Sequence, residues 1–196
     1  MTAAVRLARI AAIRARSPWE ITSRQSPGYT VVKLLSQRRI EPKETTVSQA
    51  SAETITVGAL GVRFLVEGSD SNGSVSVFEC YVPANARMPA PHSHDAFEET
   101  IYGLKGTTSW TVDGESIGVG AGEALCVPRG AVHGFQNGGD TEATFLAIAS
   151  PGIFGPAYFR EVGEVLAASA GGPPDVAALA EVMRRHGLTP AQSATT

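Results

Sequence analysis

Residues 92–106 read HSHDAFEETIYGLKG, and residues 122–137 read GEALCVPRGAVHGFQN. These two stretches hold His92, His94 and His133, three of the 4 histidines in the 196-residue chain. On an extended strand residues i and i+2 point to the same side, so His92 and His94 can present two imidazoles to one point. Glu98-Glu99 follows a short turn at Asp95-Ala96-Phe97 and can return a carboxylate to that point from a neighbouring strand. Strand neighbours face opposite ways, so one of the two glutamates faces solvent. Further on, Pro128-Arg129-Gly130 forms a tight turn that delivers a third imidazole, His133. Three histidines and a carboxylate suit one divalent transition metal (Mn, Fe, Ni, Co, Cu or Zn). They do not suit Ca or Mg, which prefer oxygen ligands. His186 stands in the last turn of an expected helix before Gly187, where a cation is favoured by the helix dipole, and takes no catalytic part.

Working outward, apolar runs recur from Thr54 onward between turn signals, the spacing of a sandwich or barrel of short strands. Residues 55–68 form one such run broken by glycines, and residues 74–83 alternate until Pro83. Asp113-Gly114 between 107–112 and 115–120 is the strongest hairpin signal, because this dipeptide tolerates the positive φ of a type I′ turn. Strands also follow at 124–128 and 141–150. After Pro151 the period changes. Phe159, Val162 and Leu166 share one helical face, and so do Val176, Leu179 and Met183, which predicts two helices within 156–187. No internal repeat is visible, so one barrel is expected.

The formal charge of −3 conceals a division: residues 1–46 hold nine Lys/Arg against three Asp/Glu, and the remaining 150 hold seven against sixteen. The basic segment has no clean amphipathic face, and 41–53 has the composition of a linker. Residues 1–53 therefore read as a basic extension, disordered by composition, ahead of targeting or polyanion-binding readings. The acidic body gives no electrostatic case for nucleic acid. No run approaches the length of a membrane span. The two cysteines, Cys80 and Cys126, lie in separate strand-like runs, which excludes a disulfide framework and leads us to expect a reduced, cytoplasmic setting.

Together the two histidine stretches resemble the paired motifs of the cupins. The first motif, G-x5-H-x-H-x3,4-E-x6-G, is met by His92, His94, Glu99 and Gly106; the second, G-x5-P-x-G-x2-H-x3-N, by Gly122, Pro128, Gly130, His133 and Asn137. The departure is Ala86 where the family has its leading glycine, which touches a turn and not a ligand. The six residues between Glu99 and Gly106 select Glu99 over Glu98. The resemblance implies an all-β fold, a cupin-type β-barrel (double-stranded β-helix, or jelly roll) with two C-terminal helices. The cupin domain would occupy 54–196, with its barrel core at about 55–150.

The resemblance further implies a metal site of His92, His94, Glu99 and His133, with Glu99 as the acid–base group. A softer likeness in the tail is to bacterial single-domain, quercetin-dioxygenase-like cupins. That implies a metal-dependent dioxygenase acting on a small aromatic or enol-type substrate. A non-catalytic ligand-binding or sensor cupin, or an oxygen-independent lyase or isomerase, would use the same site. Counting in register from the ligands places Ile101, Phe135 and Asn137 toward the pocket, with Phe64, Phe97 and Trp110 as wall candidates for which core packing competes. Small cupins commonly pair as homodimers, and the apolar, helix-flanked C terminus offers one surface.

Overall fold

Side chains alternate between buried and outward along the chain from Ile55, and each alternation becomes a strand. The computed structural model describes residues 53–169 and 171–191; the expectations for the basic extension lie outside the described residues. Ten strands come first: Ile55–Val57 (β1), Leu60–Val66 (β2), Ser76–Val82 (β3), His92–His94 (β4), Glu98–Lys105 (β5), Thr107–Val112 (β6), Glu115–Gly120 (β7), Ala124–Val127 (β8), His133–Gln136 (β9) and Ala143–Ser150 (β10). Helices Pro156–Ala168 (α1) and Val176–Arg185 (α2) and a last strand, Leu188–Pro190 (β11), follow. Among the described residues no helix is long and apolar enough to cross a membrane.

Antiparallel pairing arranges the strands in two sheets, β1-β2-β3-β10-β5-β8 and β11-β4-β9-β6-β7, the two-sheet form of a jelly roll. The β6–β7 hairpin closes at Asp113 (φ 47°) and Gly114 (φ 87°), both in the left-handed region that this dipeptide accepts. At the position where the family motif has its leading glycine, the positive φ falls one residue earlier, on Asn85 (φ 60°), so Ala86 keeps an ordinary backbone. Inward-facing residues line up across strands: Ser76, Ala149, Glu99 and Val127 form one row, and Phe78, Ala147, Ile101 and Leu125 the next. The two alanines beside Glu99 and Ile101 keep this part of the wall thin.

The helices close the side of the jelly roll that the strands leave open. β1 is the edge of the six-stranded sheet and β11 the edge of the five-stranded sheet. Between them α1 packs on β1 and on α2, and α2 packs on β11. The approach of α1 to β1 is close enough to require glycine: a Cβ on Gly163 would stand 2.5 Å from the Thr56 carbonyl oxygen. α2 begins at Asp175, whose Oδ1 accepts from the backbone N–H of Ala177 and Ala178, each at 3.0 Å. Its buried face is Leu179, Val182 and Met183, while Val176, expected on that face, is 68% exposed in the first turn. β11 was not expected, since three residues carry no readable period. Gly187 (φ 73°) turns the chain out of α2 and sends it along β4.

Candidate metal centre

β4 is sandwiched between β11 and β9, with Leu188 opposite His94, Pro190 opposite His92, and His92 opposite His133. Pairing on both edges fixes the backbone of the His-Ser-His triplet. Its imidazoles and that of His133 then converge, and their ligand atoms all lie within 4.8 Å of one another. His92, His94 and His133 are 5%, 1% and 2% exposed. Glu99, from β5 of the facing sheet, brings its Oε2 to 3.9 Å from His94 Nε2 and 3.7 Å from His133 Nε2. Its neighbour Glu98 points outward and accepts from Arg129 at 2.8 and 3.0 Å.

The ring orientations are set from behind. His92 Nδ1 lies 3.1 Å from the Ala90 carbonyl and His133 Nδ1 lies 3.0 Å from that of Ala131. In each case Nδ1–H donates to the carbonyl two residues earlier, which leaves Nε2 as the unprotonated lone-pair nitrogen. His94 is held by stacking on Phe97, centroids 4.1 Å apart, and its buried Nδ1 has no hydrogen-bond partner among the described residues.

Burial decides the charge state. It lowers the imidazole of His92 to about 3, helped by the neighbouring His133, and that of His94 to about 2, helped by His133 and His92. His133 is also lowered by burial, and burial pushes Glu99 up to about 8. Desolvation thus outweighs the attraction a carboxylate would have for imidazolium at these distances. Without an ion, the four groups meet as three neutral imidazoles and one carboxylic acid.

This donor set fits a divalent transition metal. Ligands of one such ion stand roughly 3 Å apart when adjacent and about 4.3 Å when opposite, given bonds near 2.0–2.2 Å. The observed spacings approach that range. Three nitrogens and one oxygen leave coordination positions open, and the cavity in front of them has a volume of about 60 Å³. That is room for roughly four to six water-sized groups. Its walls are apolar: Phe78, Trp110, Phe135 and Phe145 from the sheets, Phe154, Tyr158 and Phe159 from the C-terminal segment, and Met88, Pro89 and Ala90 on the approach to β4.

Residues 78–149 match the family model described as the cupin domain. These residues form a cupin domain. The chain is 29% identical over 103 residues to the quercetin 2,3-dioxygenase of Bacillus subtilis (strain 168), an alignment covering 52% of this chain but only 29% of that enzyme. Among solved structures, the polyketide cyclase RemF from Streptomyces resistomycificus is 28% identical with a TM-score of 0.48, covering 55% of this chain and 80% of that one. A predicted oxalate decarboxylase from Thermotoga maritima is 20% identical with a TM-score of 0.48, covering 54% and 96%.

Of the wall residues expected from sequence, Trp110 and Phe135 line the cupin cavity. Trp110 also satisfies its indole N–H on Thr108 Oγ1 at 2.9 Å. Phe64, Phe97, Ile101 and Asn137 do not line it. Phe64 packs behind Phe78 and Phe159, centroids 5.0 and 5.7 Å away, and Phe97 backs His94. Ile101 faces inward on β5 but is fully buried and does not border the cavity. Asn137 is past the end of β9; its Nδ2 donates to the carbonyls of Val82, Pro83 and Thr141, and its Oδ1 accepts from Gly139. It ties a loop together. Sequence reasoning missed Tyr158 and Phe154, because where a helix face points depends on where the helix docks. The one available signal was the run of aromatic side chains at 154, 158 and 159.

Proposed function

We propose that this cupin is a metal-dependent dioxygenase that acts on a small aromatic or enol-type substrate, with His92, His94, Glu99 and His133 holding the metal and Glu99 serving as acid–base group. The observation that supports it most is the convergence of three buried imidazoles, two of them with Nε2 left free by the hydrogen bond at Nδ1, and one carboxyl group on an apolar cavity. When bound, the metal would supply Lewis-acid polarisation of a chelating substrate and a site for O₂ chemistry.

The chain's own part is orientation, exclusion of water and proton transfer. The sheet and helix aromatics enclose a flat apolar ligand and keep bulk water from the charged groups. Glu99, the one carboxyl group among the proposed ligands and part of the cavity lining, would exchange a proton with a substrate hydroxyl. The test is elemental analysis of protein expressed with each candidate metal, followed by oxygen-electrode assays with catechols, 1,3-diketones and flavonols. Metal-loaded protein that consumes no oxygen with any of them overturns the dioxygenase reading in favour of a binder or an oxygen-independent enzyme. Protein that takes up no transition metal overturns the site itself.

A further inference from the structure

We infer that Tyr158 is a ligand-contacting residue of this cavity, its phenol donating a hydrogen bond to an oxygen of the bound substrate. The inference rests on the reading of the cavity as a substrate site and adds a residue that neither cupin motif contains. Tyr158 sits in the first turn of α1, outside the 78–149 region matched by the family model. It is 6% exposed and lines the same cavity as His92, His94, Glu99 and His133. Its ring centroid is 6.4 Å from that of His92, at an interplanar angle of 64°.

The side-chain atoms sealed in protein without a partner are Ser76 Oγ and His94 Nδ1; the Tyr158 hydroxyl is not among them, and the residue lines the cavity. The hydroxyl has no hydrogen-bond partner among the described residues, and its ring is packed on Phe154, Phe159 and His186 with centroids 5.0, 5.1 and 5.7 Å away. The other nitrogen and oxygen groups of the cavity are engaged or reserved: the indole of Trp110 is bonded to Thr108, and the imidazoles and Glu99 are the proposed metal ligands. Burial and the nearby Glu99 both raise the phenol, so it stays protonated as a donor. The ring is held by packing, and what remains for its O–H is whatever occupies the cavity. The substrate class follows: a small, largely apolar molecule whose oxygens face both the metal centre and α1.

The test uses full-length protein loaded with Co(II) and 4-nitrocatechol as probe, a diol whose visible band shifts on chelation, titrated under argon. Tyr158→Phe keeps the ring and its packing, so metal content and melting temperature should match wild type. The variant should bind the probe about 5–10-fold more weakly, the worth of one hydrogen bond. The band of the bound probe should also move to longer wavelength, because a hydrogen bond to its phenolate oxygen stabilises the ground state. A purely packing role for Tyr158 would not move that band. Equal affinity and an unshifted band in Tyr158→Phe overturn the inference while leaving the site intact. If wild-type holoprotein does not bind the probe, the reading of the cavity as a chelating-substrate site falls, and this inference falls with it.

Discussion

The cavity has two walls made by different means. The sheet wall takes its polar atoms from strand alternation: His92, His94, His133 and Glu99 are fixed by register, with ladder bonds on both sides of β4 and β5. The C-terminal wall takes its side chains from α1, which is placed by one close approach to β1 and by packing on α2. The difference teaches where to look for two kinds of information. The proposed ligands sit where geometry is rigid and repeated in sequence motifs. The side chains that complete the cavity sit on an element whose placement no motif records.

The sharpest way to break this comparison is to remove the sheet-wall ligands. His92→Ala with His94→Ala should reduce transition-metal content from about one ion per chain to near zero, while the fold persists. Elemental analysis and circular dichroism would check it; retained metal would mean that the ion sits elsewhere. Next in size is the seating of the other wall. Gly163→Ala places a methyl against the Thr56 carbonyl and should cost about 1–3 kcal/mol of stability, read by denaturant unfolding. Metal content should survive that change, since α1 supplies no ligand; a parallel loss of metal would show that the two walls are not separable.

Within the sheet wall, Asn137→Ala leaves buried carbonyls of the 82–83 and 141 segments without their donor and should cost about 1–3 kcal/mol with no change in ligand affinity. A selective loss of ligand binding would return Asn137 to the pocket.

The charge states give a pH test. Glu99, raised to about 8, keeps a proton in the fold that the unfolded chain gives up, so its contribution to ion-free stability is full below about pH 4.5 and is lost as pH rises toward 8. His92 and His94, lowered to about 3 and 2, and His133, also lowered, must stay neutral in the fold. Their contribution is full above about pH 6.5 and is lost as pH falls. Below 6.5 three imidazoles outweigh one carboxyl. The melting temperature of chelator-treated protein should therefore peak near pH 6.5 and decline on both sides, and metal should abolish the alkaline decline. A curve still rising at pH 8 without metal would refute the assignment of Glu99 as buried acid. The smallest effect expected is from deleting residues 1–46, which should leave metal content and melting temperature unchanged.

The sheet wall was largely legible in the sequence, and the reasons are physical. A two-residue period fixes which side chains share a face, so His-Ser-His could be assigned to one point, and Asp113-Gly114 admits few backbone conformations besides the hairpin it makes. Depth was harder to read. Ile101 and Glu99 share a face, yet only Glu99 reaches the cavity: Ile101 is fully covered by its neighbours, and a two-residue period gives a side chain's face but not how deeply it is covered. Asn137 was counted in register with His133, but β9 ends at Gln136 and the count no longer holds beyond a strand's end. Least legible was the helical wall: the period of 156–168 gives a buried face for α1, but the docking on β1 that turns Tyr158 toward the metal centre depends on contacts roughly a hundred residues apart in the chain.

The pairing of β11 with β4 sets an order of events during synthesis. A growing chain that has displayed both histidine motifs still has β4 open along one edge, and the two imidazoles of that strand are not yet held. The second neighbour arrives only when residues 188–190 have been made and the two helices before them have folded back. At the proposed metal site, an ion bound before the C-terminal segment docks would therefore be held by a strand paired along one edge only, and more exchangeably.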